Sequence, residues 1–448
     1  MKQILVLGAG LSSTYLIAYL LKQSQSENWF VTVGDMSLQT AKKAVNGHAN
    51  GAAIKFDVND SELRATHIEK ADIVVNMLPP SFQYLVAIDC VLHSRPMVSA
   101  SYRNKRMKNL DAEANRKGVL LLTEMGLDPG IDHMIAMSLI HKIRRQKGKI
   151  TSFKSYGGAL PAPDSLNNPF KYFVTWNPRN VAMAGENGAQ FLENGRIKMV
   201  PFHNLFQYSW PVQVDGIGSM EVYPNRDTLI YQTHFDISKA KTIMRGTIRY
   251  PGWCETWLQI VRLGMANETL YIPNLAEMSY KDFTEMFVPM DVNGTDLEQR
   301  VASYLNINPT GHIMDNLKWF GLFSDKRIGN VGQTASEVLI HLLNSKLKME
   351  QKNRDMIILM TEVEAVFRQP ASRRESHTIA LVEYGDRQYT AINKGVGLPI
   401  AAAVKLILQD KIDLTGSHIP THPSIYETVL KELRAAGLKF KKKKKLLN

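Results

Sequence analysis

Two glycines near the N-terminus, Gly8 and Gly10, have the spacing of a phosphate-binding turn. They follow the apolar run Ile4–Leu7 and precede a helical pattern, so this segment is predicted to be a strand, a GxG turn and a helix. Such a turn offers backbone N–H groups to a dinucleotide pyrophosphate, and Gly8, Gly10, Leu11 and Ser12 are the candidate contacts. Ser13 replaces the third Gly or Ala of the full fingerprint, and glycines also mark ordinary strand-to-helix turns, so the motif alone leaves both interpretations open.

Asp35 is the second candidate cofactor residue. It ends the strand-like run Phe30–Gly34 and lies 25 residues after Gly10, near the spacing at which a carboxylate accepts hydrogen bonds from the adenosine ribose. A carboxylate there repels the 2′-phosphate of NADP, so the sequence favours NAD. The alternative is local, because Asp35 and Met36 also precede Ser37, a candidate N-cap of the next helix. The two interpretations are compatible.

The segment Met125–His133 (MGLDPGIDH) follows the sixth predicted strand and opens a helix. Asp128 is suited to N-cap that helix, with Pro129 at the first helical position. The same carboxylate also falls at the cofactor crevice, where it could pair with a cationic amine. His133 could serve as an acid or base, although a histidine one turn into a helix is more often packed or hydrogen-bonded.

Three later segments carry candidate substrate contacts. Gly157 and Gly158 lie in YGGALPAP, where they either allow close approach to a ligand or form a tight turn. Arg226 lies in YPNRDT, and Arg245 and Arg249 lie in MRGTIRY. A guanidinium suits a carboxylate, although most arginines are surface residues.

The elements that must position these residues alternate along the first 125 residues. Six apolar runs are predicted to be strands, with helical patterns between them, and this βαβ rhythm requires a parallel sheet with helices on both faces. Ligands bind beyond the carboxyl ends of such strands. The candidate segments there are Gly8–Ser13, Asp35, Asp57-Val58, Leu78–Ser81, Ser101-Tyr102 and Glu124–Asp128.

The rest of the chain is predicted to form two further domains around the Rossmann domain at 1–125. Residues 126–251 and 347–389 are predicted to form a mixed α/β substrate-binding and dimerisation domain. Residues 252–346 show only helical patterns and are predicted to be a helical subdomain. Residues 390–448, with an apolar helix at 395–409, are predicted to return to the Rossmann sheet.

Composition narrows the class of protein. The chain has 448 residues and a net charge of +12, of which Lys439 and Lys441–Lys445 supply six. We expect a solvated, mobile lysine tail, no nucleic-acid partner, and a basic field that suits an acidic substrate. The two cysteines, Cys90 and Cys254, suggest neither a disulfide framework nor a metal site, and Cys254 lacks a neighbouring base in the sequence. We expect no membrane helix, no secretory signal and a cytoplasmic protein.

These segments together resemble saccharopine dehydrogenase of the glutamate-forming type, also called saccharopine reductase. The matching stretches include VLGAG, FDVND, SASY, GLDPGIDH, SYGGALPAP, YPNRDT and RGTIRY. The resemblance implies a homodimeric oxidoreductase that interconverts saccharopine with glutamate and 2-aminoadipate 6-semialdehyde by hydride transfer to or from a nicotinamide cofactor. Alternatives are a related carbon–nitrogen oxidoreductase, such as a carboxynorspermidine-type dehydrogenase, and a catalytically silent NAD-binding regulator.

The resemblance also implies roles for particular residues. Tyr102 and Asp128 lie at the substrate and are the candidates for proton transfer. The carboxylates of the substrate meet Arg226, Arg245, Thr247 and Arg249, with Ser101 and Gly157 nearby. The resemblance also implies cofactor contacts at Ser99, Ala100 and Ser101 of the SASY segment. Asp57, Val58, Leu78 and Leu127 are further cofactor candidates because they lie in segments that follow predicted strands.

Two departures from the family pattern bear on these roles. Fungal relatives that use NADP place small residues and an arginine after the second strand, where this chain has Asp35 and Met36. That difference favours NAD. The family segment YCGG is Tyr156-Gly157-Gly158 here, so no cysteine role carries over.

Overall fold

Strands and helices alternate along the first 145 residues of the computed structural model, which describes residues 1–184, 188–368 and 371–447. The six predicted strands are all present. Their apolar runs suit a sheet that is buried on both faces, except for the third strand, Gly51–Lys55, which is only partly buried. The predicted helix Met107–Lys117 is instead two short helices that meet at Leu110. The elements are β1 (Lys2–Leu7), α1 (Thr14–Ser24), β2 (Trp29–Asp35), α2 (Leu38–Val45), β3 (Gly51–Lys55), α3 (Ser61–Glu69), β4 (Ile73–Asn76), α4 (Gln83–Leu92), β5 (Met97–Ser99), α5 (Lys105–Asn109), α6 (Asp111–Arg116), β6 (Leu120–Leu122) and α7 (Ile131–Arg145).

The middle of the chain contains mainly strands as far as residue 249 and helices from there to residue 346. The predicted strands at β7, β11 and β13 and the five predicted helices at α10–α14 are present, whereas the short strands β8, β9, β10 and β12 were not predicted. The elements are β7 (Lys149–Pro161), α8 (Pro178–Ala182), β8 (Ala189–Glu193), β9 (Arg196–Val200), β10 (Trp210–Val214), β11 (Gly218–Pro224), β12 (Arg226–Asp227), α9 (Tyr231–His234), β13 (Thr242–Arg249), α10 (Trp253–Arg262), α11 (Tyr280–Glu285), α12 (Leu297–Leu305), α13 (His312–Phe320) and α14 (Ala335–Lys346).

The C-terminal segment ends in a strand, so the prediction of a mobile lysine tail is wrong. The strand β17 pairs antiparallel with β15 along eight residues, and backbone hydrogen bonding to β15 orders the lysine run. The elements of this segment are β14 (Asp355–Phe367), β15 (Arg373–Tyr384), α15 (Ala391–Leu408), β16 (Gly416–His418), α16 (Pro423–Ala435) and β17 (Phe440–Leu447).

The chain divides into two compact units. Unit 1 comprises residues 1–155, 233–239 and 359–448, and unit 2 comprises residues 156–232 and 240–358. Unit 1 contains a parallel sheet in the order β16-β6-β5-β4-β1-β2-β3, which is the predicted Rossmann arrangement extended by β16 at one edge. The three-domain boundaries drawn from the sequence stay a prediction.

Helix α15 packs against α1 in unit 1. A side chain on Gly397 would meet the backbone nitrogen of Leu16 at 2.9 Å, and the Asn393 amide donates to the Thr14 hydroxyl at 3.0 Å. Within the described residues this is the one helix long and apolar enough to cross a membrane, a feature we did not expect from the sequence. Since 61% of it is buried, packing inside the protein accounts for its apolar composition.

The second sheet contributes strands to each unit. In unit 2 its order is β10-β11-β13-β7-β14, with β8 paired to β13, and with β9 and β12 each paired to β8. In unit 1 its order is β7-β14-β15-β17. Strands β7 and β14 each contribute residues to both units. In unit 2 the register of β11 and β13 pairs Tyr223 with Thr247 and Glu221 with Arg249.

Candidate functional site

The glycine turn lies at the carboxyl end of β1 in unit 1, beside β4, where the strand order reverses. Gly8 has φ +99°, and a Cβ there would lie 3.0 Å from the Met77 carbonyl oxygen, so the turn itself requires glycine. Gly10 is exposed with an ordinary φ of −69°, and a Cβ there would meet no atom of the described chain within 4 Å. The protein therefore gives no steric reason for Gly10, and the open space suits a closely approaching ligand.

Asp35 binds backbone on both sides at the end of β2. One carboxylate oxygen accepts the N–H of Ala9 at 2.9 Å, and the other accepts the N–H of Ser37 at 2.9 Å. Ser37 is the N-cap of α2, as the local interpretation predicts, because its hydroxyl accepts the Thr40 N–H. Each carboxylate oxygen keeps a second lone pair, so these bonds leave acceptor capacity for a ribose.

Asn76 is a cofactor-site candidate that sequence analysis missed. It ends β4, is 1% exposed, and its side-chain oxygen accepts the N–H of Leu78 at 3.1 Å. Its Nδ2 is buried without a hydrogen-bond partner in the part of the chain that the structure describes. A buried donor without a partner is costly unless a ligand or water meets it. The open space at Gly10 and this donor both fit a dinucleotide at the carboxyl ends of β1 and β4. The signal in the sequence was a polar residue, Asn76, inside the apolar run Ile73–Met77.

The other predicted cofactor residues also follow strands of this sheet. Asp57 and Val58 come after β3, and Val58 is buried, while the Asp57 carboxylate accepts the Asn59 N–H at 2.9 Å. Ser99 closes β5 and is fully buried, and its hydroxyl accepts the Ser101 N–H at 3.2 Å. Ala100 follows Ser99, Leu78 follows β4, and Leu127 is buried in the loop before α7.

The two predicted proton-transfer residues lie in accessible parts of unit 1. Tyr102 is 41% exposed after β5. Asp128 is the one residue between Val119 and Met137 that is not buried. Its predicted capping role is wrong, because α7 begins at Ile131 after Gly130 as N-cap, and the Asp132 side chain, instead, accepts the Gly130 N–H at 2.7 Å. Pro129, joined by a cis peptide, precedes the helix.

Arg245, Thr247 and Arg249 lie on one face of β13 in unit 2, because side chains alternate along a strand. Arg249 is 4% exposed, and its guanidinium lies 5.0 Å from the ring of Tyr172 and 4.8 Å from that of Trp253. Its Nε is buried with no hydrogen-bond partner among the described atoms. Burial lowers the pKa of Arg249, but the surrounding tyrosines outweigh that effect and raise it, so the charge is kept. A buried guanidinium with an unmet donor fits a carboxylate ligand.

The remaining predicted substrate residues differ in setting. Arg245 is buried, with its guanidinium hydrogen-bonded to the Tyr231 hydroxyl and 4.8 Å from its ring. Arg226 is exposed, with φ +53°. Gly157 and Gly158 lie inside β7, so the tight turn offered as one interpretation is wrong. Gly158 is needed there because a Cβ would lie 2.8 Å from the Ile248 carbonyl oxygen.

The predicted substrate and proton-transfer residues are divided between the two units. Unit 1 contains Ser101, Tyr102 and Asp128, and unit 2 contains Gly157, Arg226, Arg245, Thr247 and Arg249.

Cys254 is buried. Burial is the main cause that raises the pKa of its thiol, and the neighbouring Glu221 raises it further, as expected for a structural thiol. In residues 1–184, 188–368 and 371–447, no group of three or more His, Cys, Asp or Glu residues could hold a metal.

Two family models together match nearly the whole length of this chain. Residues 4–122 match the model of the saccharopine dehydrogenase NADP binding domain, and residues 126–438 match that of the saccharopine dehydrogenase C-terminal domain. An NADP(+)-dependent, L-glutamate-forming saccharopine dehydrogenase of Schizosaccharomyces pombe is 30% identical, with 98% of each chain covered.

A further sequence relative and a solved structure show how much of each chain is matched. An alpha-aminoadipic semialdehyde synthase of Arabidopsis thaliana is 31% identical over 98% of this chain, which spans 44% of that relative. The solved structure of apo saccharopine dehydrogenase (L-Glu forming) from Saccharomyces cerevisiae is 28% identical and superposes with a TM-score of 0.90, covering 99% of this chain and 100% of that one. The resemblance noted in the sequence is confirmed, and this chain belongs to the saccharopine dehydrogenase family.

Proposed function

We propose that this chain is an L-glutamate-forming saccharopine dehydrogenase of lysine metabolism. It interconverts saccharopine and water with L-glutamate and 2-aminoadipate 6-semialdehyde, using a nicotinamide dinucleotide. The names of relatives matched over nearly their whole length support the reaction. The observation in this chain that carries the proposal is the buried Arg249 with its unmet Nε donor, because saccharopine has three carboxylates to neutralise.

A bound nicotinamide dinucleotide would supply hydride transfer to and from the carbon next to the secondary amine of saccharopine. Gly8, Gly10, Leu11 and Ser12 would hold its pyrophosphate, and Asp35 would accept hydrogen bonds from its ribose. The Asn76 amide supplies a further donor at the end of β4. We propose NAD over NADP, because the Asp35 carboxylate would face a 2′-phosphate and residues 36–39 contain no arginine or lysine. The fungal relatives are named for NADP(+), so the proposed preference for NAD departs from the cofactor in their names.

The substrate is oriented by the arginines of unit 2. Arg249 and Arg245 are buried and largely fixed, so they hold carboxylates with little loss of side-chain entropy, whereas the exposed Arg226 must be ordered on binding. Thr247 adds a hydroxyl donor on the same face of β13. Holding the reacting carbon in place contributes several kcal/mol to lowering the barrier.

Tyr102 and Asp128 are the proton-transfer candidates. The amine must lose its proton before hydride leaves, and water must then add to the resulting imine and break the carbon–nitrogen bond. Tyr102 is exposed, and Asp128 is partly exposed among buried neighbours. The Asp128 carboxylate also stabilises a cationic imine.

The test is to mix purified protein with saccharopine and either NAD or NADP, and to follow the absorbance of the reduced cofactor. We expect reduction of NAD and weaker reduction of NADP. No reduction with either cofactor contradicts the proposed reaction, whereas equal rates contradict only the role of Asp35. A homodimer stays our prediction for the assembly, and light scattering tests it.

A further inference from the structure

Glu124 is a buried acid that joins the two loops of the proposed active site in unit 1. It follows β6, in the same loop as Asp128, and its side chain contacts the backbone of the loop that carries Tyr102. Its side chain is 2% exposed, and its backbone has φ +59°, a left-handed conformation that is uncommon for residues other than glycine. Such a conformation at an active site warrants a functional explanation.

Three hydrogen bonds tie this part of the chain to the Tyr102 loop. One carboxylate oxygen of Glu124 accepts the backbone N–H of Arg103 at 2.9 Å. The Glu124 N–H donates to the Ser101 carbonyl oxygen at 3.1 Å, and the Met125 N–H donates to that of Ser99 at 3.0 Å. The residues on either side of Tyr102 are therefore both bonded to Glu124.

The other carboxylate oxygen of Glu124 faces helix α7. It lies 3.2 Å from Nδ1 of His133, which is 1% exposed and whose ring packs edge-on against Phe235 at 5.4 Å. His133 is in the first turn of α7, directly after the loop of Asp128. One carboxylate thus contacts both the backbone beside Tyr102 and the helix that follows Asp128.

Glu124 keeps its charge despite its burial. Burial alone raises the pKa of this carboxyl, but the bonds from His133 and from the Arg103 N–H, with the nearby His234, outweigh it and lower the pKa. The charged or titratable groups around Glu124 are therefore His133 on α7, His234 of residues 233–239 and Arg103 of the loop after β5. The ionised carboxylate makes the hydrogen bond from the Arg103 N–H charge-assisted, and it places a negative charge 3.2 Å from the His133 ring nitrogen.

We infer that Glu124 is a positioning residue for the proposed reaction. Its carboxylate holds the Tyr102 loop at a fixed distance from the start of α7, and hence from Asp128. This inference rests on the proposed function, because it requires that Tyr102 and Asp128 serve the reaction. Misplacing a reacting group by about 1 Å can cost roughly 100-fold in rate, so a residue that only holds loops can still control turnover.

The test compares Glu124→Gln and Glu124→Asp with the wild type. Gln keeps the length and can still accept the Arg103 N–H, but it is neutral towards His133. Asp keeps the charge but is one methylene too short to reach both partners. The matched control is Glu375→Gln, because Glu375 is a second buried glutamate in unit 1 and bonds His377 at 2.8 Å away from the predicted site. The measurements are kcat, the saccharopine KM, NADH affinity by fluorescence and the melting temperature.

We expect both Glu124 variants to lose kcat by about 10–100-fold, with the saccharopine KM and NADH affinity within about threefold of wild type. Glu124→Gln should also move the acidic limb of the kcat–pH profile to lower pH, because removing a negative charge lowers the pKa of nearby acids, whereas Glu124→Asp should leave the limb in place. Glu375→Gln should lower the melting temperature and leave kcat unchanged.

A wild-type kcat in the Glu124 variants would overturn the inference and leave the proposed reaction intact. An equal loss of kcat in Glu375→Gln would also overturn it, since loss of stability would then account for the effect. A wild-type protein that does not turn over saccharopine would overturn both the inference and the proposed function.

Discussion

The two glycines of the N-terminal turn are identical in type but differ in why glycine is needed. Gly8 has φ +99° and abuts the Met77 carbonyl, whereas Gly10 has φ −69° and open space where a Cβ would point. The fold therefore explains the first glycine. A ligand that approaches the backbone closely explains the second.

Gly8→Ala and Gly10→Ala should accordingly separate stability from cofactor binding. Gly8→Ala should destabilise the protein by about 1–2 kcal/mol, because alanine is strained at that φ. Gly10→Ala should leave the stability of the cofactor-free protein within about 1 kcal/mol of wild type, yet weaken NADH binding by about tenfold or more. Urea unfolding and NADH fluorescence titration measure the two effects. Unchanged NADH affinity in Gly10→Ala would contradict the binding of the pyrophosphate at this turn.

Arg249 offers a second contrast at the residue scale. Arg249→Lys keeps the charge but loses the planar guanidinium that packs between Tyr172 and Trp253. We expect the KM for saccharopine to rise by about tenfold or more, without change in NADH affinity. A tenfold rise corresponds to about 1.4 kcal/mol of lost binding free energy. Arg262→Lys, an exposed arginine bonded to Gln207, is the control and should behave as wild type. A normal KM in Arg249→Lys would argue against a carboxylate at Arg249.

At the scale of elements, the sequence predicted those that have their own hydrophobic pattern. The inner strands of the first 125 residues were predicted because burial on both faces leaves an apolar signature, whereas β3 lies at the sheet edge and is only partly buried. The three-residue β16 and the strand β17 carry no such pattern. Strand β17 is held by backbone pairing with β15 and by charge, and its lysines resemble a solvated tail in composition.

The same distinction holds within the candidate site. The glycine turn, Asp35 and the arginines of β13 could be found from motif and residue type. Glu124 and Asn76 could not be assigned roles, because each acts through partners distant in sequence or through a buried atom that only the fold reveals. The capping role of Asp128 failed because Gly130, rather than Asp128, precedes the first turn of α7.

Charge also anchors β17 to the sheet, through Glu375 on β15. Its buried carboxylate bonds Lys444 at 2.8 Å, Arg373 at 2.6 Å and His377 at 2.8 Å. Burial raises the pKa of Glu375, but these three partners lower it to about 2. Because the folded pKa lies below the unfolded value of about 4.3, this stabilisation is present above pH 4.3 and is lost as the pH falls towards 2.

Glu375→Gln should therefore cost about 1.5–3 kcal/mol of unfolding free energy at pH 7, the range for losing a charged hydrogen-bond partner. The difference from wild type should shrink as the pH falls from 4.5 towards 2. Urea midpoints at pH 7 and pH 3 measure both quantities. A difference that stays constant with pH would mean that the charge of Glu375 does not stabilise β17.

At the scale of the whole molecule, cofactor choice becomes a question of stability. A ligand that binds only the folded state raises stability by about 2.7 kcal/mol at 100 times its Kd. If Asp35 disfavours a 2′-phosphate, NAD should raise the melting temperature at concentrations where NADP does not. Asp35→Asn should bring the two cofactors closer together, because it removes the charge while keeping one acceptor oxygen. Asp72→Asn is the matched control, since Asp72 accepts the Gln3 N–H at 2.7 Å at the opposite end of β1. Larger stabilisation by NADP than by NAD in the wild type would place this chain with its fungal relatives in cofactor use and refute the role given to Asp35.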